Sequence, residues 1–415
     1  MSKLWISLRR QGLLSALLIS TALAAGPLEA PTGLDNQTNG LTDQATHDAN
    51  RKTFDEVETI DDGLGPVYNA QSCRECHQNP VSGGASQVGE LRVGHTMHGR
   101  FQNPVVRIND GKDTITGRTL INDRAICPQA QESVPDGNPI RTFRVSLNVL
   151  GDGFIEAVPD GTLKALARRN GGLALSVPIL EAPGQGAIGR FGWKAQHASL
   201  LSFSADAYLN EMGITSRLQP NEVTTVCQPP GVPQPNDQSN DIDKFAMFMR
   251  ATKAPPRDEI QAATHKARRG EYLFKQIGCE RCHIATLRTA PAGTKINGGT
   301  FEVPEALGDK TFHPYSDFLL HNVGTGDGIG IAVVEHFGPQ AGYMPRTAVD
   351  QTANRMRTPP LWGVRLRTRL MHDGATLTFF DAIRRHAGEA RGEAHRFNRL
   401  IDREKDAVVA FLLSL

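Results

Sequence analysis

Aromatic residues are scarce in this 415-residue chain: three Trp, five Tyr and seventeen Phe make up 6% of it. A chain this long can bury one large core or, more readily, two, and so few rings imply a core filled partly by something other than side chains. An excess of one charge is missing too. Forty-five Lys and Arg stand against 44 Asp and Glu, a formal +1, which gives no electrostatic ground for nucleic acid or an anionic membrane as the main partner. Past the N-terminus, no apolar run approaches the ~20 residues of a spanning helix, so no stable membrane span is expected. Gly (41) and Pro (25) are frequent instead, the mark of a loop-rich chain.

The N-terminus reads as a targeting segment. Lys3, Arg9 and Arg10 form a basic stretch, residues 13–25 a short apolar one, and Ala22-Leu23-Ala24 a small-x-small cleavage site. Residues 1–24 are therefore expected to be a signal peptide; the competing reading, an uncleaved anchor, is disfavoured by the shortness of the run. Cleavage removes three cations and no anions, taking the formal charge from +1 to −2. Such a leader implies export to the periplasm.

Cysteine usage carries most of the information. Four of the six cysteines fall in two Cys-x-x-Cys-His runs, Cys73-Arg-Glu-Cys76-His77 and Cys279-Glu-Arg-Cys282-His283. Two thiols one helical turn apart can add to the two vinyl groups of one haem, and the adjacent histidine then reaches the iron. The motifs thus predict two covalently bound haem c groups, with His77 and His283 as iron ligands. A four-cysteine zinc site competes, but gives no reason for a histidine after both pairs. Redox dithiols would waste the same histidines. The remaining pair, Cys127 and Cys227, is most simply a disulfide in an oxidising compartment.

The chain repeats itself around these motifs. Before the second runs Arg269-Gly-Glu-Tyr-Leu-Phe-Lys-Gln-Ile-Gly-Cys279, with Gly270 and Phe274 on one helical face. Residues 406–415 place Val408, Phe411, Leu412 and Leu415 on another, and Gly270 would let the two helices cross closely. In the first unit, residues 241–254 offer a comparable closing helix with Ile242, Phe245 and Met249 on one side, ended by Pro255-Pro256. The expected fold is mainly α: two cytochrome c-like haem domains with long irregular loops, residues 25–256 and 257–415.

From about residue 50 to the C-terminus the sequence resembles the bacterial di-haem cytochrome c peroxidase and MauG group. Within it, the nearest branch is that of the di-haem oxidoreductases, sometimes labelled thiol oxidoreductases. The resemblance is carried by Gly63-Leu-Gly-Pro-Val-Tyr-Asn-Ala-Gln-Ser-Cys73, Gly189-Arg-Phe-Gly-Trp-Lys-Ala195, Asn210-Glu-Met-Gly213, Asp317-Phe-Leu-Leu-His-Asn-Val-Gly324, Arg357-Thr-Pro-Pro-Leu-Trp-Gly363 and Met371-His-Asp-Gly374. It implies that the N-terminal haem is the peroxidatic one and the C-terminal haem the electron-transfer one.

Further site residues follow. On a helix over residues 378–387, Phe379, Ile383 and His386 share a face, and a histidine on a buried face needs a partner. The family carries its electron-transfer haem's distal ligand fourteen residues after His372, which is His386; methionine or tyrosine stands there in better-known relatives. A core histidine bonded to a backbone carbonyl is the alternative. Glu211 matches the superfamily's catalytic glutamate, which relays a proton between peroxide oxygens. For the first iron, His95, Met97 and His98 in residues 88–103 are candidate displaceable ligands, His95 being nearest by spacing. Trp193 or Phe191 could carry electrons between the haems, or simply pack. His372 and His321 are expected to pack near a haem; His47, His197, His265, His313, His336 and His395 have no supporting motif. Relatives hold a calcium ion between domains, but here Asn103 alone offers a side-chain ligand.

Two classes of function remain open. One is an enzyme reducing hydrogen peroxide at the N-terminal haem, fed through the C-terminal haem by a periplasmic donor such as a small cytochrome c or cupredoxin; MauG-like oxidation of a partner protein is a variant of it. The other is an electron-transfer cytochrome with both irons closed.

Overall fold

The computed structural model describes Met1, residues 28–331 and residues 346–415. The rest of the expected signal peptide and His336 lie outside the described residues. Among those described, no helix is long and apolar enough to cross a membrane.

Six helices position the site: α1 (Gln44–Asp55), α2 (Leu200–Met212), α3 (Asp241–Ala251), α4 (His265–Ile277), α5 (Phe379–Arg384) and α6 (Asp402–Leu412). Capping explains where several begin and end. Ser199 accepts the N–H groups of Leu201 and Ser202 at the start of α2, and Gly213, at φ 71°, closes it in the left-handed conformation. Thr264 and Gly278 do the same for α4, whose buried stripe Ala267, Gly270, Phe274, Ile277 has helical spacing. That stripe meets α6. A Cβ on Gly270 would stand 1.8 Å from the Ala407 carbonyl oxygen, so the close crossing expected from the sequence is present and requires glycine.

The expectation of a mainly α fold is corrected. Of the described residues, 32% are helical and 17% strand, and their strands form seven small sheets, none wider than four strands. In the widest, β1 (Gly89–Met97) pairs antiparallel with β4 (Ile140–Val145), Val93 opposite Arg141. It also forms a hairpin with β2 (Arg100–Gln102) and takes β3 (Leu120–Ile121) alongside. The physical reason for the missed strands is length. Most have two or three residues, too few for an alternating pattern to register. Glu90-Leu-Arg-Val93 does alternate, but over four residues alone.

The largest apolar cluster joins α1, α2 and α3 through Phe54, Leu200, Tyr208, Phe245 and Phe248, and draws Leu287, Phe312 and Trp362 from the later half. A second is built from α4 and α6 with Phe397. Cys127 and Cys227 are joined by a disulfide.

Candidate functional site

The first candidate site begins with one helical turn. Ser72 caps it by accepting the Glu75 N–H at 3.3 Å, and Cys73–Cys76 with His77 after it present both thiols and the imidazole to one cavity of about 180 Å³. Burial pushes both thiols up to about 12, which keeps them protonated. It also pushes His77 down to about 4, leaving a neutral ring whose Nδ1 donates to the Gly84 carbonyl at 3.2 Å. Neutral imidazole with one nitrogen so fixed is the form that ligates a metal.

Glu211, near the end of α2, lines the same cavity. Its backbone carbonyl accepts the N–H groups of Asn69 and Ala70 at 2.7 and 3.1 Å, tying the helix end to the segment that leads into Cys73. Oε1 lies 3.7 Å from Arg92 Nη2. Oε2 is buried and has no hydrogen-bond partner, so a carboxylate oxygen in a protein cavity is left to serve something else.

The second site is a mostly apolar cavity of about 200 Å³ holding Cys279, Cys282, His283 and His386. His283 donates Nδ1–H to the Tyr315 carbonyl at 3.0 Å; burial and then the neighbouring His386 push it down to about 4. Cys279 is pushed up to about 12 by burial. His386, just past α5, donates Nδ1–H to the Ala382 carbonyl at 2.7 Å, and burial lowers it too. The two ring centroids are 6.5 Å apart, about the span of two metal–nitrogen bonds of ~2 Å plus two ring radii. Arg367 adds a cation to this wall; Nη2 donates to the Ser146 carbonyl at 3.0 Å and Nη1 is buried without a partner.

Three residues line both cavities: Leu147, Trp193 and Arg357. The Trp193 indole N–H donates to the Val145 carbonyl at 2.7 Å, and its ring meets His372 edge-on at 6.1 Å. Phe191 lines the first cavity alone. His372 is buried on the second cavity and pushed down to about 4 by burial.

His321 is of another kind. Its two nitrogens face Asp317 and Glu389 at 2.9 and 2.8 Å. Burial opposes its charge, yet the hydrogen bond to Asp317 prevails and raises it to about 11. Among the described residues, Cys282, Asp317 and His321 form the only group of three with metal-ligand atoms within 4.8 Å of one another, but a doubly protonated imidazolium has no lone pair to give.

His95, Met97 and His98 are not brought to the first cavity. His95 faces Asn138 Oδ1 at 3.0 Å, and the other two are exposed at the β1–β2 turn. Asn103 Oδ1 is buried without a partner, and no cluster of acidic groups accompanies it among the described residues. Of the unsupported histidines, His47 stacks on Phe248, His197 faces Asp206, and His313 faces Glu29; His265 and His395 are exposed.

The residues present fit haem. Each cavity offers a neutral imidazole with its Nδ1 tied back, two thiols beside it, and unpartnered polar atoms on its walls. They do not fit the alternatives. The four motif cysteines line separate cavities and cannot share one zinc ion, and a thiol held near 12 is a poor redox nucleophile. Sequence reasoning missed Arg92 and Arg367, which no spacing rule marks. Arg357 stood in a stretch already singled out.

A protein-family model described as "Di-haem oxidoreductase, putative peroxidase" matches residues 132–415, the span after the first Cys-x-x-Cys-His run. No curated protein sequence matches the chain. Among solved structures it is similar to hydrazine synthase of Kuenenia stuttgartiensis, at 14% identity over 98% of this chain and 100% of that one, TM-score 0.42. A MauG-like protein associated with microbial copper homeostasis gives 16% identity, 95% and 94% coverage and a TM-score of 0.41. A variant of the diheme peroxidase BthA from Burkholderia thailandensis gives 15%, 89% and 85%, and 0.35.

Proposed function

Because this chain belongs to the di-haem oxidoreductase family, we propose that it is a periplasmic enzyme that reduces hydrogen peroxide at its N-terminal haem, with electrons relayed through the C-terminal one. Cys73, Cys76, Cys279 and Cys282 attach the haems covalently, and His77 and His283 ligate them. Haem, when bound, supplies the one-electron chemistry and an iron that can take peroxide. A small cytochrome c or cupredoxin is the donor class, delivering two electrons per peroxide; with two protons, these give two waters.

The observation that carries the reading is Glu211, whose unpartnered Oε2 stands in the cavity of Cys73, Cys76 and His77. A carboxylate there can accept a proton from one peroxide oxygen and return it to the other. Arg92 Nη2, 3.7 Å from Oε1, sets a cation beside that carboxylate. Trp193, walling both cavities, supports a path for electrons between them.

Glu211→Gln keeps size and polarity but removes the base. With haem content and the reduction of both irons intact, peroxide turnover should fall by roughly 10²–10⁴, the usual contribution of a positioned acid–base group. Turnover at the wild-type rate, read by stopped-flow peroxide consumption, would refute the assignment of Glu211.

A further inference from the structure

The second cavity is walled on one side by the helix Arg391–Arg399, of which Glu393 and Ala394 line it. Arg281, inside the Cys279–Cys282 turn, holds the helix there through Glu393 Oε1 at 3.2 Å. Ala394 and Phe397 form its buried face. On the opposite side Arg391, His395 and Arg399, spaced i, i+4 and i+8, make one exposed stripe.

The charges of this face are not spent within the protein. Residues 384–403 hold six arginines against Glu389, Glu393 and Asp402. Those three carboxylates are engaged elsewhere: Glu393 by Arg281 and Arg396, Glu389 by His321 and Arg355, and Asp402 by Lys405. Arg384, Arg391, Arg399 and Arg403 are exposed and have no ion pair among the described residues. Arg384 Nε reaches Asn398 Oδ1 at 3.4 Å, which draws it to the edge of the stripe. Without its expected leader the chain carries a formal −2, so the positive excess is local. Helix stability gives no reason for it either, because Arg391 stands in the first turn, where the dipole favours an anion. Ile401, two residues past Arg399 and 57% exposed, adds an apolar contact beside the cations.

We propose that this face docks an acidic one-electron carrier, a small cytochrome c or cupredoxin with carboxylates around its redox centre, which reduces the second haem. The inference rests on the donor class proposed above and adds the sign of its charge and its landing place. The carrier's centre loses one electron, the haem iron gains it, and no proton moves. A helix is ~10 Å across, so a centre seated on the stripe is one layer of protein from the cavity. Complementary charge steers encounter and fixes orientation more than it adds affinity, and a basic patch confined to the cavity's outer wall turns the carrier's acidic face toward that wall.

Plastocyanin, an acidic cupredoxin, is the probe, titrated calorimetrically into the haem-loaded full chain with both proteins oxidised. Neither peroxide nor electron flow enters the measurement, so a failed peroxide reading leaves its outcome intact. Saturable binding is expected at about 0.01 M salt, where the screening length is ~30 Å, and should weaken by about tenfold or more at ~0.15 M, where it is ~8 Å. The Arg391→Glu/Arg399→Glu double variant should weaken it by about tenfold or more at low salt. Its haem content and melting midpoint should hold, since both side chains are exposed and a glutamate at 391 suits the dipole. No binding at low salt, equal binding of a basic mitochondrial-type cytochrome c, or unchanged affinity in the double variant overturns the proposal. Should that variant fail to fold, unchanged affinity in Arg391→Gln/Arg399→Gln overturns it instead.

Discussion

At the scale of the residue, a choice of tautomer prepares the second site. His283 and His386 each spend Nδ1–H on a backbone carbonyl, so the lone pair of each neutral ring falls on Nε2. Were both to bind one iron, as proposed, that haem would have a lower potential than a histidine–methionine site gives. His386→Met should therefore raise that potential, on the order of 100 mV within the ~0.8 V that axial ligands command, and add a sulfur–iron band near ~700 nm. An unchanged spectrum and potential would make His386 a packed core histidine. The Cys and His residues of both motifs were legible because their spacing is itself the chemistry; Phe379 and Ile383 marked the buried face of His386, but reading it as an iron ligand rested on the resemblance. Glu211 was legible only through resemblance. Arg92 and Arg367 were not legible at all: a lone arginine in a strand or turn looks like any solvated cation until the fold buries it.

Elements show the same division. The α4–α6 crossing was readable from Gly270 and from the apolar stripe of the last helix, since both use the period of 3.6. It also holds the second site in place, for α4 runs into Gly278 and Cys279. Replacing Gly270 by alanine gains about 1 kcal/mol of helix propensity, but sets a methyl 1.8 Å from the Ala407 carbonyl. Backbone on backbone cannot yield as a side chain does, so the clash should win, and Gly270→Ala should lower stability by about 1–3 kcal/mol. The denaturation midpoint of the haem-loaded protein reads this out; an unshifted midpoint would mean the helices separate freely. The small sheets were the failure at this scale. Strands such as Arg100–Gln102 and Leu120–Ile121 are defined by their partners, not by a pattern of their own.

At the scale of the molecule, the two haem motifs announced a duplicated plan, and two cavities with matching donor sets are present. How the halves meet was not readable. Leu28–Glu29 pairs with Lys310–Phe312, far along the chain, and Trp193 reaches both cavities although it stands far in sequence from either motif. Such contacts depend on long-range closure, which local periodicity does not encode. The asymmetry between the cavities is the feature on which function turns. In the second, His386 faces His283; in the first, the wall includes Glu211 and Arg92, and none of His95, Met97 and His98 lines it. The central claim is that the first iron is open to peroxide while the second is closed by two histidines, and the EPR spectrum of the as-isolated, oxidised protein tests it directly. One high-spin and one low-spin ferric haem per chain is the predicted result; two low-spin haems with no high-spin component would contradict it and make the protein an electron carrier.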